Sequence, residues 1–259
     1  TTDVAAHPEF ADRRVTRTID GQVVTGWFTE DFTLAELMTL RARERLPELR
    51  GTAFDGQESI LTFDQVLDIA AEASAREGRA IGVAPELKHP SHFTALGLSM
   101  EDAFVAVLER RGLTGAEAPM LVQCFEVGPL ERLSRRTDTP LLQLMARDGG
   151  PADRSALTYA AMATPEGLAR VATYAKWIGA DTAMIEPTPG TPSSLIADAH
   201  AAGLKVAAWT FRAENAFLPE TDRVGTEPGG HGRLAGRLAR FVGYGLDAAF
   251  MDQPGLAGR

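Results

Sequence analysis

Segments with a helical apolar period alternate, along most of the chain, with short segments that are apolar throughout. The first kind predicts amphipathic helices, and the second predicts strands buried on both faces, as in a parallel sheet. The predicted strands are 81–88, 120–126, 140–145, 182–187, 205–211 and 246–252. The predicted helices are 32–40, 61–78, 99–112, 128–136, 164–181, 192–203 and 232–245. A parallel sheet of this regularity is either doubly wound or closed as a (β/α)₈ barrel.

Capping residues support several of these helix boundaries. Thr precedes the apolar period of both 32–40 and 61–78, and Gly78 is placed to end the second helix. Ser99 is a candidate N-cap whose helix ends at Gly112. Thr164 precedes a proline at the first helical position, where proline is favoured.

Polar residues decide between the two sheet arrangements. No G-x-G-x-x-G turn follows a strand, which disfavours a dinucleotide-binding fold. Several strands instead carry polar or aromatic residues in or just past their C-terminal half, where a barrel collects catalytic groups from different strands. These residues are Glu86, Lys88, Gln123, Glu126, Gln143, Glu186, Trp209 and Asp252. The sequence therefore predicts an α/β fold of the TIM-barrel class, although the chain is two predicted strands short of a complete barrel.

Composition narrows the range of partners. The chain has 35 acidic and 26 basic residues, a net charge of −9, and no basic stripe, so a nucleic acid partner is not expected. Apolar residues make up 44% of the chain without a run long enough to span a membrane, which predicts a packed globule. The single cysteine, Cys124, excludes an internal disulfide. An anionic substrate would need a local positive group or a metal.

The segment IGVAPELKHP, residues 81–90, carries the strongest chemical signal. Glu86 and Lys88 are two positions apart on a predicted strand, so they face one side while Leu87 faces the other. Opposite charges at the end of an apolar strand require solvent, a metal or a ligand. A structural ion pair between Glu86 and Lys88 is the alternative interpretation.

These residues carry a resemblance to the glycerophosphodiester phosphodiesterases, particularly their longer bacterial, periplasmic-type members. APELKHP resembles the E-L-K strand end of that family. Further stretches resemble the family in order and spacing: TTDVAAHPEFADRR, GWFTEDFTLAELMTLRARERLP, ILTFDQVLDIA, LVQCFE, AWTFRAEN and AAFMDQP. The resemblance covers essentially the whole chain. It implies a (β/α)₈ barrel and metal-assisted hydrolysis of a small-molecule glycerophosphodiester to glycerol 3-phosphate and an alcohol.

The resemblance also implies residue roles. Glu86 corresponds to a metal carboxylate, and oxygen ligands suit Ca²⁺ or Mg²⁺. Lys88 would place a positive charge beside the phosphate in the transition state. Gln123 would line the substrate pocket, with a buried structural amide as the alternative. Trp209 would form an apolar wall near the alcohol group, with core packing as the alternative. Glu186 is a candidate substrate-binding carboxylate at the rim, although no motif requires it.

Some family elements have no match in the chain. In the family, the first strand carries a His-Arg pair, and the second carries a Glu-x-Asp pair followed downstream by another His. The resemblance implies that the first strand, the first helix and the second strand lie before Thr1, about 40 to 50 residues at roughly 30 per βα unit. We predict one barrel domain over 1–259, in which 1–60 is largely inserted loop and short helix.

Two alternative functions remain open from the sequence. One is a noncatalytic truncated barrel that only binds ligand. The other is a related enzyme that cleaves phospholipids in the manner of sphingomyelinase D. The family favours a periplasmic or secreted location, with the cytoplasm as the alternative, and the sequence predicts no oligomeric state.

Overall fold

The computed structural model describes residues 1–257 of the 259-residue chain. Its contacts divide the chain into two compact units, Thr1–Ala80 and Ile81–Arg259. The prediction of a single barrel domain over 1–259 stays a prediction. The elements expected before Thr1 stay a prediction as well.

An antiparallel hairpin is the most regular part of the first unit. Strand β1 (Val15–Ile19) pairs with strand β2 (Gln22–Gly26). Asp20 and Gly21 form the turn with φ values of 50° and 76°. Positive φ at both positions is what a two-residue type I′ turn requires. The sequence analysis did not predict this hairpin, because its strands are mostly exposed and lack the apolar pattern of a buried strand.

Three short to medium helices complete the first unit. They are α1 (Leu34–Leu37), α2 (Pro47–Arg50) and α3 (Phe63–Glu77). Thr33 and Thr62 each cap a helix through a capping box, and Gly78 ends α3 in the left-handed region with φ 62°. The caps are as predicted, although α1 is shorter than the predicted helix 32–40. Local side-chain chemistry therefore fixes where these helices start and stop.

Five parallel strands form the sheet of the second unit. They are β3 (Val122–Cys124), β4 (Leu141–Met145), β5 (Trp177–Asp181), β6 (Lys205–Phe211) and β7 (Ala248–Met251). Their spatial order is their order along the chain, which confirms a TIM-like fold. Within residues 1–257, however, this sheet has five strands rather than the eight of a closed barrel.

Helices connect these strands and precede the first of them. They are α4 (Pro90–Ala95), α5 (Met100–Arg111), α6 (Val127–Leu133), α7 (Tyr159–Met162), α8 (Pro165–Val171), α9 (Thr182–Ile185), α10 (Leu195–Ala201) and α11 (Leu234–Gly243). Ser99 caps α5, and Gly112 ends it with φ 67°. Thr164 caps α8, which begins with Pro165. These boundaries confirm the caps predicted from the sequence.

Segment 81–88 runs alongside β3 without forming a continuous strand. Parallel bridges join Val83 and Glu86 to neighbouring residues at β3. Pro85 lies between these two bridges and has no N–H to donate, so one rung of the ladder is missing. The segment therefore has the neighbour and the direction that the sequence predicted, but it is an irregular edge of the sheet.

The predicted boundaries are wrong around β5. The predicted helix 164–181 is too long, since α8 ends well before β5. The predicted strand 182–187 is wrong, because this region begins with α9. Asp181 accepts a hydrogen bond from the N–H of Ala183 at 2.8 Å and so caps α9. The apolar period of α8 continues into Trp177, and periodicity alone does not separate a short buried strand from a helix.

Alternation along the strands divides the sheet into two faces. The cluster face is the one that carries the buried side chains of Leu142, Leu144 and Ala207. Its flanking hydrophobic residues are only partly buried: Leu121, Phe125, Trp177, Trp209, Ala248 and Phe250. The opposite face is more deeply buried, and its fully buried residues include Val122, Cys124, Gln143, Ile178 and Val206. Helix α6 contacts β3 and β4, and helix α10 contacts β6.

The substitution Gly167→Ala should destabilise the second unit. A Cβ added at Gly167 in α8 would lie 2.3 Å and 2.5 Å from the carbonyl oxygens of Ala161 and Met162. Backbone atoms cannot turn aside as a side chain can, so we expect a loss of about 1–3 kcal/mol in the free energy of unfolding. Denaturant unfolding measures this loss.

The matched control is Gly243→Ala at the end of α11. A Cβ added at Gly243 meets nothing within 4 Å. Alanine is the better helix former, so this variant should be as stable as the wild type or more stable by up to about 1 kcal/mol. Equal losses in Gly167→Ala and Gly243→Ala would contradict the packing argument.

Candidate functional site

Glu86 and Lys88 form an ion pair at the C-terminal end of segment 81–88. Nζ of Lys88 lies 2.7 Å from Oε2 of Glu86, and the Lys88 side chain is 67% exposed against 23% for Glu86. Leu87, between them, is buried. The two charges thus face one another on the solvent-accessible side. The same contact is what a purely structural ion pair would show, so the predicted metal and catalytic roles stay predictions.

Side chains and backbone of β3 hold the strand end that carries this pair. The amide of Gln123 donates to the carbonyl oxygen of Ala84 at 2.7 Å. The N–H of Leu87 donates to the carbonyl oxygen of Gln123 at 2.9 Å, and the thiol of Cys124 contacts the carbonyl oxygen of Leu87 at 3.3 Å. Burial raises the pKa of Cys124 well above its usual range, so the thiol stays protonated. It acts as a weak donor.

These contacts bear on the predicted role of Gln123. Its side chain is buried, and its amide N–H group is used by backbone. This is the structural alternative that the sequence analysis left open. A part for Gln123 in substrate binding stays a prediction.

The turn that follows Lys88 is held by a buried carboxylate. His89 has φ 53° and ψ 42°, in the left-handed region, and α4 starts at Pro90. Both carboxylate oxygens of Glu126 accept from the N–H of Ser91, at 3.3 Å and 3.2 Å, and the Ser91 hydroxyl also donates to Glu126. Glu126 is only 2% exposed. From the sequence, Glu126 was only one of several polar residues near strand ends and had no assigned partner, since 35 residues separate it from Ser91.

Two aromatic rings, Phe125 after β3 and Trp209 in β6, pack against each other on the cluster face. The indole N–H of Trp209 donates to the carbonyl oxygen of Gly179 at 2.9 Å, which fixes the ring. Trp209 packs edge-on against Phe125, with 5.7 Å between ring centroids. Both rings are partly buried on the cluster face, where the alternation of β3 also places Gln123. The sequence analysis overlooked Phe125, although its spacing of two from Gln123 was a usable signal.

Glu186 lies in a different environment from the one that the sequence predicted. It follows helix α9 rather than ending a strand. Its carboxylate contacts Nε of Arg240 at 2.7 Å, the N–H of Gly190 at 3.0 Å and the hydroxyl of Tyr244 at 2.9 Å. Burial alone would raise the pKa of Glu186, but these hydrogen bonds outweigh it and hold the pKa below its usual range. The predicted part of Glu186 in substrate binding stays untested, and its geometry favours a structural role.

Arg240 extends this contact into a network. It bridges Glu186 and Asp222, and its Nη2 lies 2.7 Å from Oδ2 of Asp222. Hydrogen bonds that Arg240 donates to both carboxylates raise its pKa further, so the guanidinium stays charged. Arg237, one helical turn earlier, rests over the rings of Phe211 and Phe241, and burial lowers its pKa. Of these two cations in α11, Arg240 is the one that pairs with the two buried carboxylates.

Gln143 and Asp252 also have structural partners. The amide of Gln143 donates to the carbonyl oxygen of Phe125 at 3.0 Å, and its carbonyl oxygen accepts from Tyr174 at 2.9 Å. Asp252 pairs with Nε of Arg212 at 2.9 Å. Neither residue is therefore carried into the candidate site.

A divalent metal site requires several His, Cys, Asp or Glu side chains grouped around one point. Across residues 1–257, no group of three or more His, Cys, Asp and Glu side chains is arranged to hold a metal ion. Glu86 offers one carboxylate at an accessible strand end, which fits a single oxygen ligand. The described residues therefore do not form a complete metal site.

The described residues nevertheless offer a ligand two kinds of contact, one charged and one apolar. Lys88 presents an exposed ammonium, and Glu86 orients it. Phe125 and Trp209 present apolar ring surface on the cluster face. Such a surface suits a molecule that has an anionic group at one end and a less polar group at the other.

Comparisons with known proteins give one consistent result. The model of the glycerophosphoryl diester phosphodiesterase family matches residues 10–256. Glycerophosphodiester phosphodiesterase GDPD6 of Arabidopsis thaliana is 36% identical over an alignment of 234 residues, and the match covers 84% of this chain and 62% of the relative. The chain therefore spans less than two thirds of that relative's length.

Solved structures support the fold. A candidate glycerophosphoryl diester phosphodiesterase from Silicibacter pomeroyi has a TM-score of 0.58 at 20% identity, and the match covers 95% of this chain and 73% of that one. A second candidate, from Agrobacterium tumefaciens, has a TM-score of 0.52 at 18% identity and covers 95% and 76%. Separately, no helix within 1–257 combines the length and the apolar character needed to cross a membrane.

The Arg240 network makes stability depend on pH. The pKa of Glu186 is depressed in the folded state, so its contribution is present above the unfolded pKa and is lost as the pH falls through the folded pKa. Arg240→Met should therefore cost about 3–5 kcal/mol at pH 7, because it removes the guanidinium that pairs with two buried carboxylates. The difference from the wild type should shrink as the pH falls toward 4 and approaches the depressed pKa of Glu186, because protonation removes the charge that Arg240 stabilises. Thermal unfolding from pH 7 to pH 4 measures this trend, and a constant difference would contradict it.

Proposed function

The chain belongs to the glycerophosphoryl diester phosphodiesterase family, and on that premise we propose that it hydrolyses glycerophosphodiesters to glycerol 3-phosphate and an alcohol. The observation that carries this proposal is the Glu86–Lys88 pair at the strand end, accessible to solvent and held by β3. The activity named for the Arabidopsis relative supports the same chemistry.

Lys88 is the proposed charge partner of the phosphate. An ammonium is a compact charge with three donors on a flexible stem, so Lys88 can exchange its contact with Glu86 for a phosphate oxygen. A phosphodiester gains negative charge on its nonbridging oxygens as the attacking oxygen approaches. A fixed positive charge stabilises that state more than the ground state, which is how it lowers the barrier.

The rings of Phe125 and Trp209 are the proposed contact for the less polar part of the substrate. Both are partly buried, so ligand contact would remove apolar surface from water without moving the sheet. The hydrogen bond from Trp209 to Gly179 keeps the indole in place. Gln123 is proposed to act at the boundary between the charged and the apolar parts.

A divalent cation, Ca²⁺ or Mg²⁺, is part of this proposal through the family resemblance. Glu86 is the residue of this chain that would contribute an oxygen ligand, and the set would need further ligands besides it. Such an ion would offset the charge of the phosphate.

The substitution Glu86→Gln tests the metal assignment. Gln keeps the size and one carbonyl oxygen but loses the charge that attracts a hard cation. We expect most of the activity to be lost and then partly restored by excess metal. The assay is release of glycerol 3-phosphate from glycerophosphocholine by the complete gene product, under chelator titration with Ca²⁺ or Mg²⁺ added back. A wild type that is indifferent to chelator, or a variant fully active at low metal, would contradict the assignment.

The substitution Lys88→Met tests the charge assignment. It removes the ammonium and keeps an unbranched stem, so turnover should fall by roughly 10²-fold while the metal concentration needed for half activity stays unchanged. Lys176→Met is the matched control, because Lys176 is also exposed but directly precedes the N-terminal end of β5. It should keep wild-type turnover. Equal turnover in the two variants would argue against a role for Lys88.

The same assay separates the alternative functions. Binding of glycerophosphocholine without release of glycerol 3-phosphate, at any metal concentration, would favour the noncatalytic alternative. Cleavage of intact sphingomyelin or lysophospholipid in preference to glycerophosphocholine would favour the phospholipid-cleaving alternative. Either result would overturn the proposal.

A further inference from the structure

We propose that Glu126 is a positioning residue, which fixes the turn after Lys88 and thereby sets the orientation of the Glu86–Lys88 pair. This inference deepens the proposed function and rests on it. The observation that carries it is a buried carboxylate at the end of one strand, bound to the backbone of the loop that follows the neighbouring segment.

Burial of the Glu126 carboxylate costs free energy. A carboxylate that is only 2% exposed loses most of its hydration, and such a group is retained only where hydrogen bonds replace the lost water. The N–H and the hydroxyl of Ser91 both donate to it. Bonds to a charged acceptor are shorter and stronger than bonds between neutral groups. Glu126 therefore ties down Ser91 more firmly than a neutral acceptor would.

The hydrogen bonds between Ser91 and Glu126 act where the hydrogen-bond ladder between segment 81–88 and β3 is weakest. Pro85 removes one rung between the bridges at Val83 and Glu86, so the backbone holds the strand end less tightly than a regular strand. His89, the residue after Lys88, adopts the left-handed conformation. A non-glycine residue stays in that conformation only when its surroundings fix it. The contact between Ser91 and Glu126 lies two residues after His89.

The Glu126 side chain can reach Ser91 because another residue caps α6. Glu126 stands at the N-cap position of α6 but does not cap the helix with its own side chain. Asp153, from the loop after β4, accepts from the N–H groups of Val127 at 3.0 Å and Gly128 at 2.6 Å instead. A Cβ at Gly128 would lie 2.8 Å from Oδ2 of Asp153, so a larger residue here would push against this capping carboxylate. The cap is thus supplied from outside, and the Glu126 side chain reaches across to the neighbouring turn.

The test compares Glu126→Ala and Glu126→Gln with wild type in the complete gene product. Misplacing a catalytic group by about 1 Å can cost on the order of 10²-fold in rate, so we expect a loss of that size in kcat for Glu126→Ala. The KM for glycerophosphocholine should change little. Glu126→Gln keeps one acceptor oxygen and should lie between the two. Hydrogen exchange at the Ser91 amide should be about tenfold faster or more in Glu126→Ala, because that amide loses its acceptor.

The matched control is Glu101→Ala. Glu101 is also a buried glutamate, at 3% exposure, but it lies in α5 and pairs with Arg132 of α6. The control should lose stability and keep kcat at temperatures where it is folded. Where Glu126→Ala does not fold, Glu126→Gln and Ser91→Ala carry the comparison.

Two results would overturn the proposal. One is a kcat for Glu126→Ala within twofold of wild type, or no lower than that of Glu101→Ala. The other is unchanged exchange at Ser91 in Glu126→Ala. A wild type without hydrolysis would instead refute the proposed function, and the exchange measurement would then decide alone whether Glu126 holds the turn.

Discussion

The buried backbone donors at the C-terminal edge of the parallel sheet are the constraint on which the site depends. Each strand ends in a loop or a helix start whose N–H groups have no partner within their own element, and a buried N–H without an acceptor costs about 1–3 kcal/mol. At several of these strand ends, a side chain from the next loop accepts the hydrogen bond. Glu126 accepts from the turn at Ser91, and Asp153 accepts from Val127 and Gly128 at the start of α6.

Side-chain hydrogen bonds also join the loops that follow the last two strands, β6 and β7. The carbonyl oxygen of the Gln253 side chain, after β7, accepts from the N–H of Ala213 after β6 at 3.0 Å. The Gln253 amide donates to Glu214 at 2.8 Å, and Asp252 pairs with Arg212. Side-chain contacts therefore join neighbouring loops at both ends of the sheet, near the Glu86–Lys88 pair and after the last two strands.

The sequence predicts the parts of this structure that local chemistry or topology determines. Thr62, Ser99 and Thr164 cap their helices where predicted, because the cap and its N–H partner lie three residues apart. The strand order follows the chain, because a right-handed βα unit leaves a regular parallel sheet few other choices. The boundary at β5 was missed, since α8 and β5 share one apolar run that fits either period.

The candidate site divides in the same way. Alternation was enough to place Glu86 and Lys88 on one side. It could not show that Glu186 belongs to the Arg240 network, since their contact spans 54 residues. Nor could it pair Glu126 with Ser91, because any of the strand-end carboxylates was an equal candidate. Contacts between loops require the fold to be known first.

The irregular edge gives the chain a way to orient a charged pair without burying it. In a regular strand, every backbone group is held by the ladder, and the side-chain directions follow from the pleat alone. At Pro85 the ladder is interrupted, so the direction of Glu86 and Lys88 depends on the side chains of Gln123, Cys124 and Glu126 as well. Side-chain ties can hold a conformation that the pleat does not supply, such as the left-handed His89. Lys88 thereby stays exposed while its backbone is fixed, and that combination allows an anionic group to approach an ammonium whose attachment to the sheet is already set.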